Sequence, residues 1–161
     1  MTIVVAAFML GLGLGSLAGG ALSRDSRRPL LVVFASIETA LGLFGFVSLE
    51  LFHFVGRATA AGSGLTTFLS TFALILVPTA LMGATLPILV AHSVRRIRNV
   101  GQSVGMLYFV NTLGSALAGF TTAAYLLGIL GQQRTVAVAA SLNLLVGAGV
   151  FLASRRFGET S

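Results

Sequence analysis

Apolar residues fill five long blocks of this chain, about 2–22, 30–54, 66–92, 104–128 and 134–153. Polar punctuation falls between them at 23–29, 55–65, 93–103 and 129–133, and again from Ser154 onward. None of the blocks alternates as a half-buried strand does. Each holds about 20 residues or more, enough at about 1.5 Å per residue to cross about 30 Å of hydrocarbon. The pattern predicts an all-α fold. It is a polytopic membrane helix bundle with five transmembrane helices, forming a single transmembrane domain over residues 1–161.

Composition points the same way. Of the 161 residues 56% are hydrophobic and 9% charged, whereas a soluble domain carries about 25% charged residues. The chain has no cysteine, which removes disulfides, thiol catalysis and thiolate metal sites. The net charge of +6 comes from ten arginines and four acids. The arginines sit in short clusters between apolar blocks, a topogenic arrangement and not a nucleic-acid surface. No nucleic-acid partner is expected, and the lipid bilayer is the first partner.

The clusters alternate. Arg24, Arg27 and Arg28 lie in the first break, Arg95, Arg96 and Arg98 in the third, and Arg155 and Arg156 in the tail, while the second break holds Arg57 and the fourth is followed directly by Arg134. Basic loops stay in the cytoplasm, so the N-terminus is expected outside and the C-terminus inside, in a bacterial cytoplasmic membrane. The first block has no basic flank and is too long for a secretory leader. An outside start of this kind implies a preceding helix or insertion beside a partner.

The glycines of the first block allow two readings. Gly13, Gly15 and Ala18 fit a dinucleotide fingerprint, but no strand precedes them and Glu38, twenty residues after Ala18, falls in the next apolar block. The βαβ context that the fingerprint needs is missing, and no cofactor is expected. Gly11, Gly15 and Gly19 instead recur every four residues, on one helix face that lets a neighbouring backbone come close.

Few residues can carry chemistry. Glu38 lies about nine residues into the second block, where a carboxylate costs several kcal/mol unless paired or protonated. It reads either as a proton relay or cation site, or as a protonated group bonded to a neighbouring helix. Asn111 and Asn143 complete a candidate intramembrane polar set, either as a site or as interhelical glue. Ser115 and Gly119, near Asn111, form a small face suited to helix packing. Pro78 and Pro87 each remove a backbone donor, giving either a kinked packing helix or a discontinuous helix lining a site. Glu50 and His53 share a face near a block's end. Two ligands are too few for a metal centre, and no metal is expected. His92 and Arg95 are placed at headgroups, and Tyr108 and Tyr125 at the two interfaces.

The segment "GGALSRDSRRPL" resembles the loop between the second and third helices of major facilitator transporters. Gly20, Leu22, Arg27 and Arg28 carry the likeness. Arg24 stands where that family has aspartate, and Asp25 follows it. The resemblance implies a loop that pairs across helix ends during transport, while a topogenic basic turn is the plainer alternative. The blocks "AAFMLGLGLGSLAGG", "VPTALMGATLPIL", "GMLYFVNTLGSALAGF" and "LNLLVG" resemble, in order and spacing, the membrane domain of bacterial spermidine synthase-like proteins. In these, major-facilitator-like helices are fused to an aminopropyltransferase domain. The resemblance implies a partial major-facilitator-like half and one further helix before the first block. It also implies a non-catalytic membrane domain or subunit, anchoring or feeding a fused or associated soluble synthase domain. The residues show no glycine-rich strand-to-helix loop and no paired acids for an amine substrate, so no catalytic residue is assigned. Part of a transporter for a small cationic solute, or a structural subunit packed against other membrane helices, are the alternatives.

Overall fold

The protein is described by a computed structural model covering residues 2–25 and 27–156, with side chains from residue 4 onward. Among these residues the chain is helical throughout: α1 (Thr2–Leu22), α2 (Leu30–Thr59), α3 (Gly64–Ile97), α4 (Val100–Thr121), a π-helical turn (Thr122–Leu126) and α5 (Leu127–Arg156). The fold is all-α, as the apolar blocks predict.

The helices outrun those blocks. Backbone hydrogen bonding continues through the polar flanks until a cap stops it. Ser63 caps α3 by accepting from the Thr66 amide at 3.3 Å. Asn99 caps α4 by accepting from the Gln102 amide at 3.0 Å. Between α3 and α4 the chain reverses on Arg98, whose φ of 56° is left-handed. Apolar patterning therefore marks the hydrocarbon-length part of each helix, and capping chemistry marks its ends.

The five blocks predict five membrane helices; among the described residues four helices are long and apolar enough to cross a membrane. The helices long and apolar enough to cross a membrane are Val4–Leu22, Leu30–Thr59, Gly64–Ile97 and Val100–Arg156. The last contains both of the blocks at 104–128 and 134–153. Within that run the polar break at 129–133 holds a kink: Gly131 leaves helical geometry, at φ 71° and ψ 175°, and two helices meet there. The two prolines do not interrupt α3: it runs as one helix from Gly64 to Ile97 through Pro78 and Pro87. A discontinuous helix at these prolines is thereby overturned.

Packing follows the small residues. Gly11 lies against the Thr79 side chain, Gly15 against the Ala80 carbonyl, Gly19 against the Ala84 carbonyl, and Gly83 against the Leu12 carbonyl. From Gly11 through Gly15 to Gly19 the partners rise from Thr79 to Ala80 to Ala84, so α1 and α3 run parallel. On the other side, Gly42 and Gly45 meet Ala140, and Gly147 meets Ala35 and Thr39, so α2 and α5 run antiparallel. The core lies between α2 and α3, where Leu30, Phe34, Ile37 and Leu41 pack with Ala84 and Ile88. The resulting order is α1, α3, α2, α5. Helix α4 touches α3 beside its own start and joins the π-helical turn, and among the described residues it packs against no other helix.

Candidate functional site

The helix directions sort the charges. Because α1, α3 and α5 run the same way, the clusters Arg24/Arg27/Arg28, Arg95/Arg96/Arg98 and Arg155/Arg156 fall at one end of the bundle. Arg57 and Arg134 fall at the other.

At the arginine-rich end the turn after α1 is built around Asp25. Its carboxylate accepts from the Arg27 amide at 3.0 Å and pairs with the Arg28 guanidinium at 3.4 Å. Arg95, from the last turn of α3, donates to the carbonyl oxygens of Ser23 and Asp25, both at 3.0 Å. The Ser23 hydroxyl returns to the Gly19 carbonyl at 2.7 Å. A cation from α3 thus satisfies acceptors just beyond the end of α1, where the helix dipole also favours positive charge. Arg95 does more here than meet headgroups. Ser93 adds a second tie at this end, donating to the buried Ser103 of α4 at 3.1 Å.

The intramembrane polar residues do not converge. Glu38 is half-buried. It occupies the sector of α2 between Phe34, Ile37 and Leu41, which face α3, and Thr39 and Gly42, which face α5. Asn143 is half-buried on α5, on the face that carries Ala140 and Gly147. Asn111 is exposed on α4, which contacts neither α2 nor α5, and its carbonyl receives the Ser115 hydroxyl at 2.8 Å. Ser115 is exposed, and Gly119 has nothing within 4 Å of where a Cβ would stand. Among the described residues the small face of α4 therefore meets no other helix, since α4 makes its contacts with α3 and the π-helical turn. Tyr108 and Tyr125 are also exposed, and the Tyr125 ring meets Phe120 edge-on at 6.3 Å.

The polar grouping that does converge lies at the opposite end. Helices α2 and α5 are in closest contact from Gly147 to Gly45 and then separate toward Arg57. The gap is a cleft of about 590 Å³. Gly45, Phe46, Leu49, Val136 and Ala137 form its apolar floor, and Glu50, His53, Arg57, Gln132 and Gln133 its polar rim. The α2 residues recur at i, i+3 and i+7, which keeps them on one face. Gln132 and Gln133 are delivered by the break at Gly131, whose φ of 71° turns the chain in a way only glycine adopts freely. None of the five rim side chains has a hydrogen-bond partner among the described residues. Sequence spacing pairs Glu50 with His53, but the contributions of Arg57 and the two glutamines depend on the α2–α5 contact. Neither this cleft nor the shallower one between Ala35 and Phe151 is lined by Glu38 or Pro78.

No family model matches the chain, and no solved structure does. The chain is 29% identical over 158 residues to polyamine aminopropyltransferase 2 of Streptomyces coelicolor, an alignment that covers 94% of this chain. It spans 27% of the length of that relative.

Proposed function

We propose that this chain is the membrane-embedded part of a protein related to polyamine aminopropyltransferases, anchoring or feeding a soluble catalytic domain. The reading rests on one observation: almost all of the chain aligns with about a quarter of a polyamine aminopropyltransferase, and that stretch folds here as membrane-length helices. Aminopropyl transfer itself would belong to the remainder of such a protein.

In this reading the chain crosses a bacterial cytoplasmic membrane five times, as part of a major-facilitator-like half. The 57 residues of Val100–Arg156 would extend about 85 Å if straight, far beyond about 30 Å of hydrocarbon. Two crossings that reverse at Gly131 fit the bilayer, with α4 outward and α5 inward. The three arginine clusters then lie in the cytoplasm and the N-terminus outside.

The second reading, passage of a small cationic solute, is favoured by Glu38, a half-buried carboxylate at membrane depth without a hydrogen-bond partner among the described residues. One experiment separates the two. The chromosomal gene is tagged, the protein is purified from its own membrane, and its intact mass and aminopropyl transfer to putrescine are measured. A purified species that carries or retains a catalytic domain and transfers aminopropyl groups is the expected result. A species of 16.6 kDa without transfer, but supporting putrescine uptake in proteoliposomes that is lost in Glu38→Gln, would replace the first reading with the second.

A further inference from the structure

The cleft between α2 and α5 has a composition that narrows its ligand. Its floor is apolar and its rim polar, and its volume of about 590 Å³ falls within the range of about 300–1,000 Å³ typical of small-molecule sites. The rim sits at the end of two membrane-length helices, where hydrocarbon gives way to headgroups. Its charged groups have opposite signs. Arg57 offers a planar fork of donors suited to a phosphate, and Glu50, seven residues earlier on the same face, offers an acceptor to an ammonium group. His53 lies between them, and Gln132 and Gln133 supply amide donors and acceptors from across the cleft.

Single-sign ligands fit poorly. A polyamine would meet one carboxylate beside a guanidinium, and a purely anionic headgroup would meet Glu50. A ligand with a phosphate and a primary ammonium two carbons apart satisfies both. We propose that this cleft binds the zwitterionic phosphoethanolamine group, with phosphate on Arg57 and ammonium on Glu50. Two sources share this chemistry, a phospholipid, whose chains would lie along the apolar floor, and the free phosphoester. This inference does not depend on the relation to aminopropyltransferases.

The test uses the full chain purified in mild detergent, with binding read by thermal shift and native mass spectrometry. The probes are short-chain phosphatidylethanolamine, phosphatidylcholine, phosphatidylglycerol and free phosphoethanolamine. Phosphatidylethanolamine should bind about tenfold more tightly than phosphatidylcholine, whose quaternary ammonium cannot donate to Glu50, and more tightly than phosphatidylglycerol. Glu50→Gln should abolish the preference over phosphatidylcholine, and Arg57→Gln should weaken every phosphate probe. Arg134→Gln, at the same end but outside the cleft, should change neither and reports on folding. Free phosphoethanolamine binding as tightly as the lipid would assign a soluble source, and much weaker binding a lipid source. Equal binding of the three lipids, or a preference that survives Glu50→Gln, would overturn the proposal.

Discussion

Gly15 of α1 rests on the backbone carbonyl of Ala80 in α3, with no room between them for a side chain. Gly19 makes the same approach to the Ala84 carbonyl one turn later, and Gly11 one turn earlier lies against the Thr79 side chain, so α1 is held close to α3 along a whole face. In a bilayer, where apolar burial drives helices together only weakly, such close packing is a main source of attraction. Gly15→Ala must push the helices apart because the obstacle is backbone, and overpacking of this kind costs about 1–3 kcal/mol. Gly13 has nothing within 4 Å, and Gly13→Ala should leave stability within about 0.5 kcal/mol. Unfolding in detergent, followed for both variants, should show loss for Gly15→Ala alone.

Arg95 ties the end of α3 to the turn after α1. Arg95→Ala removes both donors to the Ser23 and Asp25 carbonyls, while Arg96→Ala removes the same charge from the same helix turn. The contact is exposed, so its loss should cost about 1 kcal/mol, near the low end for bonds to a charged group. Amide exchange at Arg27 and Arg28 should quicken about fivefold in Arg95→Ala and stay unchanged in Arg96→Ala. Equal quickening in both would mean that charge, not the two bonds, orders the turn.

These two features differ in how far sequence reveals them. The Gly11–Gly15–Gly19 ladder is local and periodic, so its shared face is legible before any partner is known. The partner is not, because Thr79, Ala80 and Ala84 carry no complementary signal beyond small size. Gly42, Gly45 and Gly147 make a close α2–α5 contact, nearest to the side chains of Leu144, Ala140 and Thr39, but lack that unbroken four-residue spacing. The cleft rim is less legible still. Glu50, His53 and Arg57 can be aligned on one helix face, yet Gln132 and Gln133 join them only through the fold. Ser115 and Gly119 show the converse, a packing face evident in sequence that no helix among the described residues covers.

Gly131 should resist substitution. Its φ of 71° and ψ of 175° fall in a region that other residues enter at a cost of about 1–3 kcal/mol. Nothing lies within 4 Å of its Cβ position, so Gly131→Ala tests backbone conformation without a steric clash. The variant should lower thermal stability by that amount, and it should weaken phosphoethanolamine binding if the rim glutamines are displaced. Gly128 also has open space around it but keeps helical geometry, and Gly128→Ala should be neutral. Equal tolerance at both positions would show that the break is not required.

The number of crossings can be read directly, because the chain has no cysteine and single cysteines label without background. Pro29, Gln102 and Ala153 are exposed at the arginine-rich end, and Ala61 and Gln133 at the other. With a membrane-impermeant maleimide on intact cells, Ala61→Cys and Gln133→Cys should react. Pro29→Cys, Gln102→Cys and Ala153→Cys should react only after lysis, since the positive-inside rule holds the arginine clusters in the cytoplasm. Gln102 and Gln133 are the decisive pair, because they bracket α4 and the π-helical turn within one run of helix. Opposite reactivity makes α4 a crossing of its own, distinct from the later part of α5, and gives five. Reactivity from the same side would leave α4 lying along the membrane surface, where Asn111 and Ser115 would be hydrated instead of facing lipid.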